Sequence, residues 1–223
     1  MSIQSAQPWN IFDTANNFSG SGDKADRWDF FGNPADFKSG SSSIPYCTGF
    51  DAVTGQPITS GKSAISCTVT SGISGVTTNL PTSLAAQCSA HASDPLHATT
   101  LASGGCFVDG NSVMVPPAAG HFGTMGRNIF RDNGFRDWDF SVFKTFTFNE
   151  RFGAQFRFEV FNLLNRPIIA NPNGASNGGN SGDDASAGTG FGCGCATPDV
   201  VAGNPIIGSG GARAMQLGLK LNF

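Results

Sequence analysis

Apolar side chains recur at every second position in three segments of this chain. Over 137–148 the even positions are Trp138, Phe140, Val142, Lys144, Phe146 and Phe148, five of six apolar; the odd ones, Asp137, Asp139, Ser141, Phe143, Thr145 and Thr147, include one. Over 152–164 the even positions are Phe152, Ala154, Phe156, Phe158, Val160, Asn162 and Leu164, with Gln155, Arg157 and Glu159 between them. Over 213–223 the phase is odd: Met215, Leu217, Leu219, Leu221 and Phe223 alternate with Ala214, Gln216, Gly218, Lys220 and Asn222. A period of two predicts strands with one apolar and one polar face. Residues 10–134 and 166–211 lack any such period. Breakers interrupt them, among them Ser19-Gly20-Ser21-Gly22, Val115-Pro116-Pro117 and the Asn/Gly/Ser run 171–184. Both are expected to be irregular.

An alternating strand can face a soluble core or lipid, since a sandwich strand turns its polar face to water and a barrel strand turns it to a wet lumen. Three features favour the barrel. The segments are long enough for the ~9–11 residues that cross a bilayer at a tilt, against a usual ~5–6. Nine of the 20 Phe fall within 135–161, and the last alternating segment ends on Phe223. The expected fold is therefore all-β: antiparallel strands of a transmembrane β-barrel, as a C-terminal fragment, with long irregular extracellular loops. The lipid-facing set is Trp138, Phe140, Val142, Phe146, Phe148, Phe152, Phe156, Phe158, Val160, Met215, Leu217, Leu219 and Leu221.

The shared parity of the first two strands constrains their connection. Opposed residues of an antiparallel pair share a face, so even must oppose even and the turn must hold an odd number of residues. Phe148 opposite Phe152 leaves Asn149-Glu150-Arg151; Phe146 opposite Phe152 leaves five residues, 147–151. Both remain open. A two-residue turn would set Phe148 against Arg151 and invert one strand, at ~1.5–3 kcal/mol for each large apolar residue exposed. Exposed apolar faces and open edges should make the isolated chain insoluble or oligomeric without detergent.

Composition narrows the function. Only 13% of residues are charged and the net charge is −3, which offers no basic stripe for nucleic acid. No run of 18 apolar residues exists for a transmembrane helix. Residues 1–8 show neither the basic nor the apolar part of a secretory signal, so the chain is expected to be the tail of a longer exported protein.

Six cysteines, Cys47, Cys67, Cys88, Cys106, Cys193 and Cys195, lie in polar, Gly-rich sequence. An even count there fits disulfides and an oxidising compartment; six free thiols are the alternative. Fifteen pairings are possible, although Cys193 and Cys195 are too close for an easy mutual bridge. Cys88, His91, His97 and Cys106 are four possible zinc ligands, but their spacing matches no structural zinc pattern, and a disulfide loop with solvated histidines is the expected reading. Gly188–Gly192 is no phosphate cradle, and 180–184 reads as a solvated loop rather than a calcium site. No triad or nucleophile elbow is present. The chain is expected to be no enzyme and to hold no metal or cofactor.

The residues also carry a resemblance. Phe122-Gly-Thr-Met-Gly-Arg-Asn-Ile-Phe-Arg131 followed by Gly134-Phe-Arg-Asp-Trp-Asp-Phe-Ser-Val-Phe-Lys144 resembles late strands of TonB-dependent outer-membrane receptors, in particular the Oar-like group with its carboxypeptidase-regulatory-like domain. Gln155–Pro167 and Ala212–Phe223 are similar to that group's last strands, and Asp23-Lys-Ala-Asp-Arg27 with Gly32-Asn-Pro34 to one of its loops. The likeness is specific over 120–172 and 189–223, weaker over 1–40 and thin over 41–119. It implies a 22-stranded barrel, an N-terminal plug and a TonB box, of which this chain would hold only the C-terminal part.

The resemblance further implies Phe223 as the periplasmic barrel-assembly signal. It implies as partners outer-membrane lipid, the remaining barrel and plug, the assembly machinery and the TonB system. The organisation is then the end of a barrel strand (1–9), an extracellular Cys/Gly/Ser-rich loop region (10–134), a barrel hairpin (135–165), an extracellular loop (166–211) and the terminal strand (212–223). Such a chain would serve as receptor barrel and ligand-capture loops in the outer membrane, its ligand undefined. A self-associating surface β protein and a non-functional truncated gene product are the competing readings.

Overall fold

The computed structural model describes residues 1–6, 8–22, 25–37, 44–70, 76–131, 134–148, 152–168, 185, 197 and 210–223. The chain is mostly β and its strand pairs are antiparallel. In order it forms β1 (Ser2–Gln4), β2 (Pro8–Trp9), β3 (Asp29–Phe31), β4 (Tyr46–Thr48), β5 (Ser66–Thr70), β6 (Thr77–Leu80), helices α1 (Ala85–His91) and α2 (Pro95–Gly104), then β7 (Cys106–Asp109) and β8 (Ser112–Val115). The remaining strands are β9 (Phe130–Arg131), β10 (Phe135–Asp137), β11 (Phe140–Thr147), β12 (Gly153–Phe161) and β13 (Ala214–Asn222). No described helix is long and apolar enough to cross a membrane.

The three alternating segments form one sheet, β11-β12-β13. Their bounds differ slightly from expectation. The first segment breaks at Trp138-Asp139 between β10 and β11, and the second stops at Phe161 rather than 164. Asn162 and Asn165 take left-handed φ values of 50°, which a strand cannot continue through and which Asn tolerates better than most residues. Asn162 is held there: its N–H donates to Asp139 Oδ1 at 3.1 Å and its amide to the Gly211 carbonyl at 2.7 Å.

The expectation that 10–134 is irregular is wrong. It holds a six-stranded sheet, β3-β8-β7-β4-β5-β6, with α1 and α2 against it. The sheet separates two cores by strand parity. Phe30, Met114, Phe107 and Tyr46 form a cross-strand row on one face, packed with Trp28, Phe37 and Phe130. On the other face Val108, Val113 and Val115 pack with Phe50, Leu101 of α2 and the cysteines. Tyr46 ties the sheet to the end of α2, its hydroxyl donating to the Gly104 carbonyl at 2.6 Å; burial, with the nearby Asp13 charge, pushes its phenol up to about 12.

Periodicity missed this body because its strands have three to five residues, too few to show a period, and those buried on both faces do not alternate. Local signals were nonetheless present. Asp109 pairs with Ser112 across Gly110-Asn111, and Gly110 has φ 59°, the left-handed position a tight hairpin requires. Asp94 accepts from the N–H groups of Leu96 and His97, with Pro95 next, the usual start of a helix.

Two short ladders lead from this body to the three-stranded sheet: β2 pairs with β9 and β1 with β10. The N-terminal strand thus lies beside 130–137.

Candidate functional site

Register decides which side chains share a face of β11-β12-β13. Phe140, Val160 and Met215 lie in one row, then Val142, Phe158 and Leu217, then Lys144, Phe156 and Leu219, then Phe146, Ala154 and Leu221. The opposite face carries Ser141-Glu159-Gln216, Phe143-Arg157-Gly218, Thr145-Gln155-Lys220 and Thr147-Gly153-Asn222. One side is apolar apart from Lys144, the other polar apart from Phe143. Along β12, on the polar side, Arg157 and Glu159 pair at 2.5 Å.

The Phe148 N–H donates to the Phe152 carbonyl at 2.9 Å, so Phe148 opposes Phe152 and the connection is the three-residue alternative, 149–151. Those three residues lie outside the described ones. The pairing of Phe148 with Arg151 does not occur.

Of the side chains expected on the outer face, Trp138, Phe140, Val142, Phe146, Phe148, Phe152, Phe156, Met215, Leu217, Leu219 and Leu221 are exposed, as is Phe223, expected as the assembly signal. Val160, by contrast, is only 6% exposed, and Phe158 is half-buried. Both sit on the central strand with a large neighbour in register on either side. They present less surface than the pattern suggested.

In the six-stranded body Cys47 of β4 is bonded to Cys67 of β5, and Cys88 of α1 to Cys106 of β7. Cys47 opposes Cys67 on one side and Cys106 on the other, which gathers all four sulfurs in one core. Cys88 and Cys106 therefore spend their sulfurs on each other. His91 lies flat on Phe31, ring centroids 4.1 Å apart. Cys193, Cys195 and the segments 180–184 and 188–192 lie outside the described residues. Among the described residues no three His, Cys, Asp or Glu gather as metal ligands.

A family model described as outer membrane beta barrel domain matches residues 1–192, from β1 through β12. The chain belongs to that outer-membrane β-barrel family. No curated protein and no solved structure matches it. Membership places this barrel protein in the outer membrane, and the two bridges suit the oxidising face of that location.

In this outer-membrane protein the bridges hold chain ends 20 and 18 residues apart. Chain-entropy bookkeeping assigns each loop about 3 kcal/mol. Cys88→Ser/Cys106→Ser is accordingly expected to lower the unfolding free energy of the six-stranded body by about that amount, read from denaturant titration followed by near-ultraviolet circular dichroism. Alkylation without reduction should leave Cys47, Cys67, Cys88 and Cys106 unlabelled.

Sequence reasoning weighed His97 as a zinc ligand, expected a solvated histidine instead, and missed its role. Its Nδ1 lies 2.5 Å from Asp94 Oδ2 and its Nε2 3.1 Å from Asp29 Oδ2. Asp29 also accepts from the N–H and hydroxyl of Thr124 at 2.6 and 2.7 Å. The imidazole thereby clamps the start of α2 to β3 and to the 124 segment of the barrel protein. Both ring nitrogens face carboxylates, and only the imidazolium can donate to both.

Burial opposes charge on His97, but the hydrogen bonds it donates to Asp29 and Asp94 outweigh it and hold the imidazole above its ordinary 6.5. Burial likewise opposes charge on Asp94, and the bonds from His97 prevail, holding it below 3.8. A raised folded value means His97 stabilises fully below 6.5 and loses its effect as pH rises through the folded value. A lowered one means Asp94 stabilises above 3.8 and loses its effect as pH falls through the folded value. The clamp should thus be strongest between 3.8 and 6.5. Melting temperature measured against pH should fall above that window, and His97→Gln should flatten this alkaline limb.

Proposed function

We propose that the chain forms the C-terminal part of the barrel of a TonB-dependent outer-membrane receptor. The sheet β11-β12-β13 contributes lipid-facing strands, and the disulfide-bonded body formed by 11–130 acts as an extracellular ligand-capture domain. One observation carries this reading. Register gathers the apolar side chains of three successive strands on one exposed face, while a three-residue link closes one end of the hairpin and a folded body precedes the other. Outer-membrane barrels have short periplasmic turns and long extracellular connections.

The finer identity rests on the resemblance of 122–144, 155–167 and 212–223 to the late strands of that receptor group. Its partners would be outer-membrane lipid, the remaining barrel and plug, the assembly machinery through Phe223, and the TonB system through the plug-bearing part. The role is transport rather than catalysis.

Epitope insertion tests the topology. A tag after Lys62, in an exposed turn, should bind antibody on intact cells; one after Glu150 should bind only after the outer membrane is opened. The reverse result would remove the proposal. Copurification with a plug-bearing polypeptide tests the receptor identity, whereas recovery as a pure homo-oligomer would favour the self-associating reading.

A further inference from the structure

Lys144 is out of place on its face. It stands third in the outward series Phe140, Val142, Lys144, Phe146, Phe148, opposite Phe156 with Leu219 beyond. Its whole strand is exposed, and no acidic partner approaches it among the described residues. An ammonium in hydrocarbon is expensive, most of all at the midplane of an outer-membrane barrel. Lysines relieve that cost by laying the aliphatic stem on apolar surface and carrying the charge to the interface. Here the stem leans in one direction, since Nζ sits 6.0 Å from the centroid of the Phe146 ring. Phe146 lies on the side of the three-residue link, not of the folded body.

The distance makes this a demanding reach. Phe148 lies four positions beyond Lys144, about 13 Å along a strand and roughly 10 Å along the membrane normal at a usual barrel tilt. The four-carbon stem covers roughly half of that. The gap closes when a headgroup moves inward, as local thinning beside a buried cation allows.

We propose that Lys144 and the rings of Phe146 and Phe156 form a binding site for the phosphodiester of a periplasmic-leaflet phospholipid, drawn inward against β11. This rests on the outward orientation proposed above. The rings shield the stem, a phosphate oxygen accepts from Nζ, and the acyl chains cover the phenylalanines. Charge complementarity selects the occupant: the site offers one cation in an apolar surround, which matches one anionic group carrying two hydrocarbon tails.

The test uses the protein as extracted from the outer membrane, labelled with 15N-lysine and reconstituted in vesicles of phosphatidylethanolamine and phosphatidylglycerol. Solid-state NMR should find a lysine Nζ dephased by 31P. The effect should disappear in Lys144→Met and persist in Lys220→Met, whose residue lies on the polar face. A parallel measurement follows quenching of the emission added by Phe156→Trp with lipids brominated along their acyl chains. Quenching with no dephasing, or with dephasing that survives Lys144→Met, overturns the phosphate site while the outward face stands. Absent quenching overturns the orientation and the site with it.

Discussion

Phe158→Arg is expected to reduce the folding equilibrium constant in vesicles about 30- to 700-fold, while Gln155→Arg on the same strand changes it little. Phe158 sits on the central strand between Val142 and Leu217, in the middle rows of the apolar face. An arginine at mid-depth on the lipid side of a barrel costs about 2–4 kcal/mol, and each 1.4 kcal/mol is a factor of ten in the equilibrium. Gln155 lies between Thr145 and Lys220 on the polar face, where a substitution stays within about 0.5 kcal/mol. Denaturant titration of vesicle-reconstituted protein, read by heat-modifiable gel mobility, gives both numbers. Equal losses from the two variants would mean that the even-numbered side chains of β12 do not face lipid.

Trp28→Ala should destabilise the six-stranded body by more than any surface change. Trp28 is fully buried, its ring 5.8 Å from that of Phe107 and 6.4 Å from that of Phe18. Truncating such a residue costs about 3–5 kcal/mol through lost transfer energy and the cavity left behind. A second loss adds to this. The indole N–H donates to Asp13 Oδ2 at 3.1 Å, and Asp13 is itself fully buried. Its remaining donors, the N–H groups of Ala15 and Asn16 and the Asn16 amide, lie on the adjoining turn. Withdrawing the indole removes one of the two donors to Oδ2, the Asn16 amide remaining at 3.0 Å, a loss of about 1 kcal/mol. Against a typical total of 5–15 kcal/mol, the sum is a large fraction. Trp28→Phe separates the contributions because it keeps most of the volume and removes the donor. Its unfolding midpoint should lie between those of the wild type and Trp28→Ala; coincidence with the wild type would assign no role to the Asp13 bond.

The sheet β11-β12-β13 was legible in the sequence because its determinants are local. Eight- and nine-residue strands repeat the two-residue period often enough to reveal it, and shared parity alone required an odd link between β11 and β12. The choice of three residues over five needed the pairing of Phe148 with Phe152, since both lengths keep the same face outward. The ends of the strands were less legible. Leu164 continues the alternation of β12, but Asn162 is turned out of the strand by bonds to Asp139 and Gly211, one of them 49 residues away.

The six-stranded body was hidden for the same physical reason on a larger scale. Its strands are too short for periodicity, and its stability comes from contacts between distant segments: Trp28 on Phe107, Phe30 on Met114, Cys88 bonded to Cys106. His97 shows the limit most clearly. The sequence by itself determined that Asp94-Pro95 starts a helix and carries His97 three residues on, because capping acts within one turn. Only the tertiary structure decided that Asp29, 68 residues away, meets the other ring nitrogen, since a clamp between elements exists only once packing has brought those elements together.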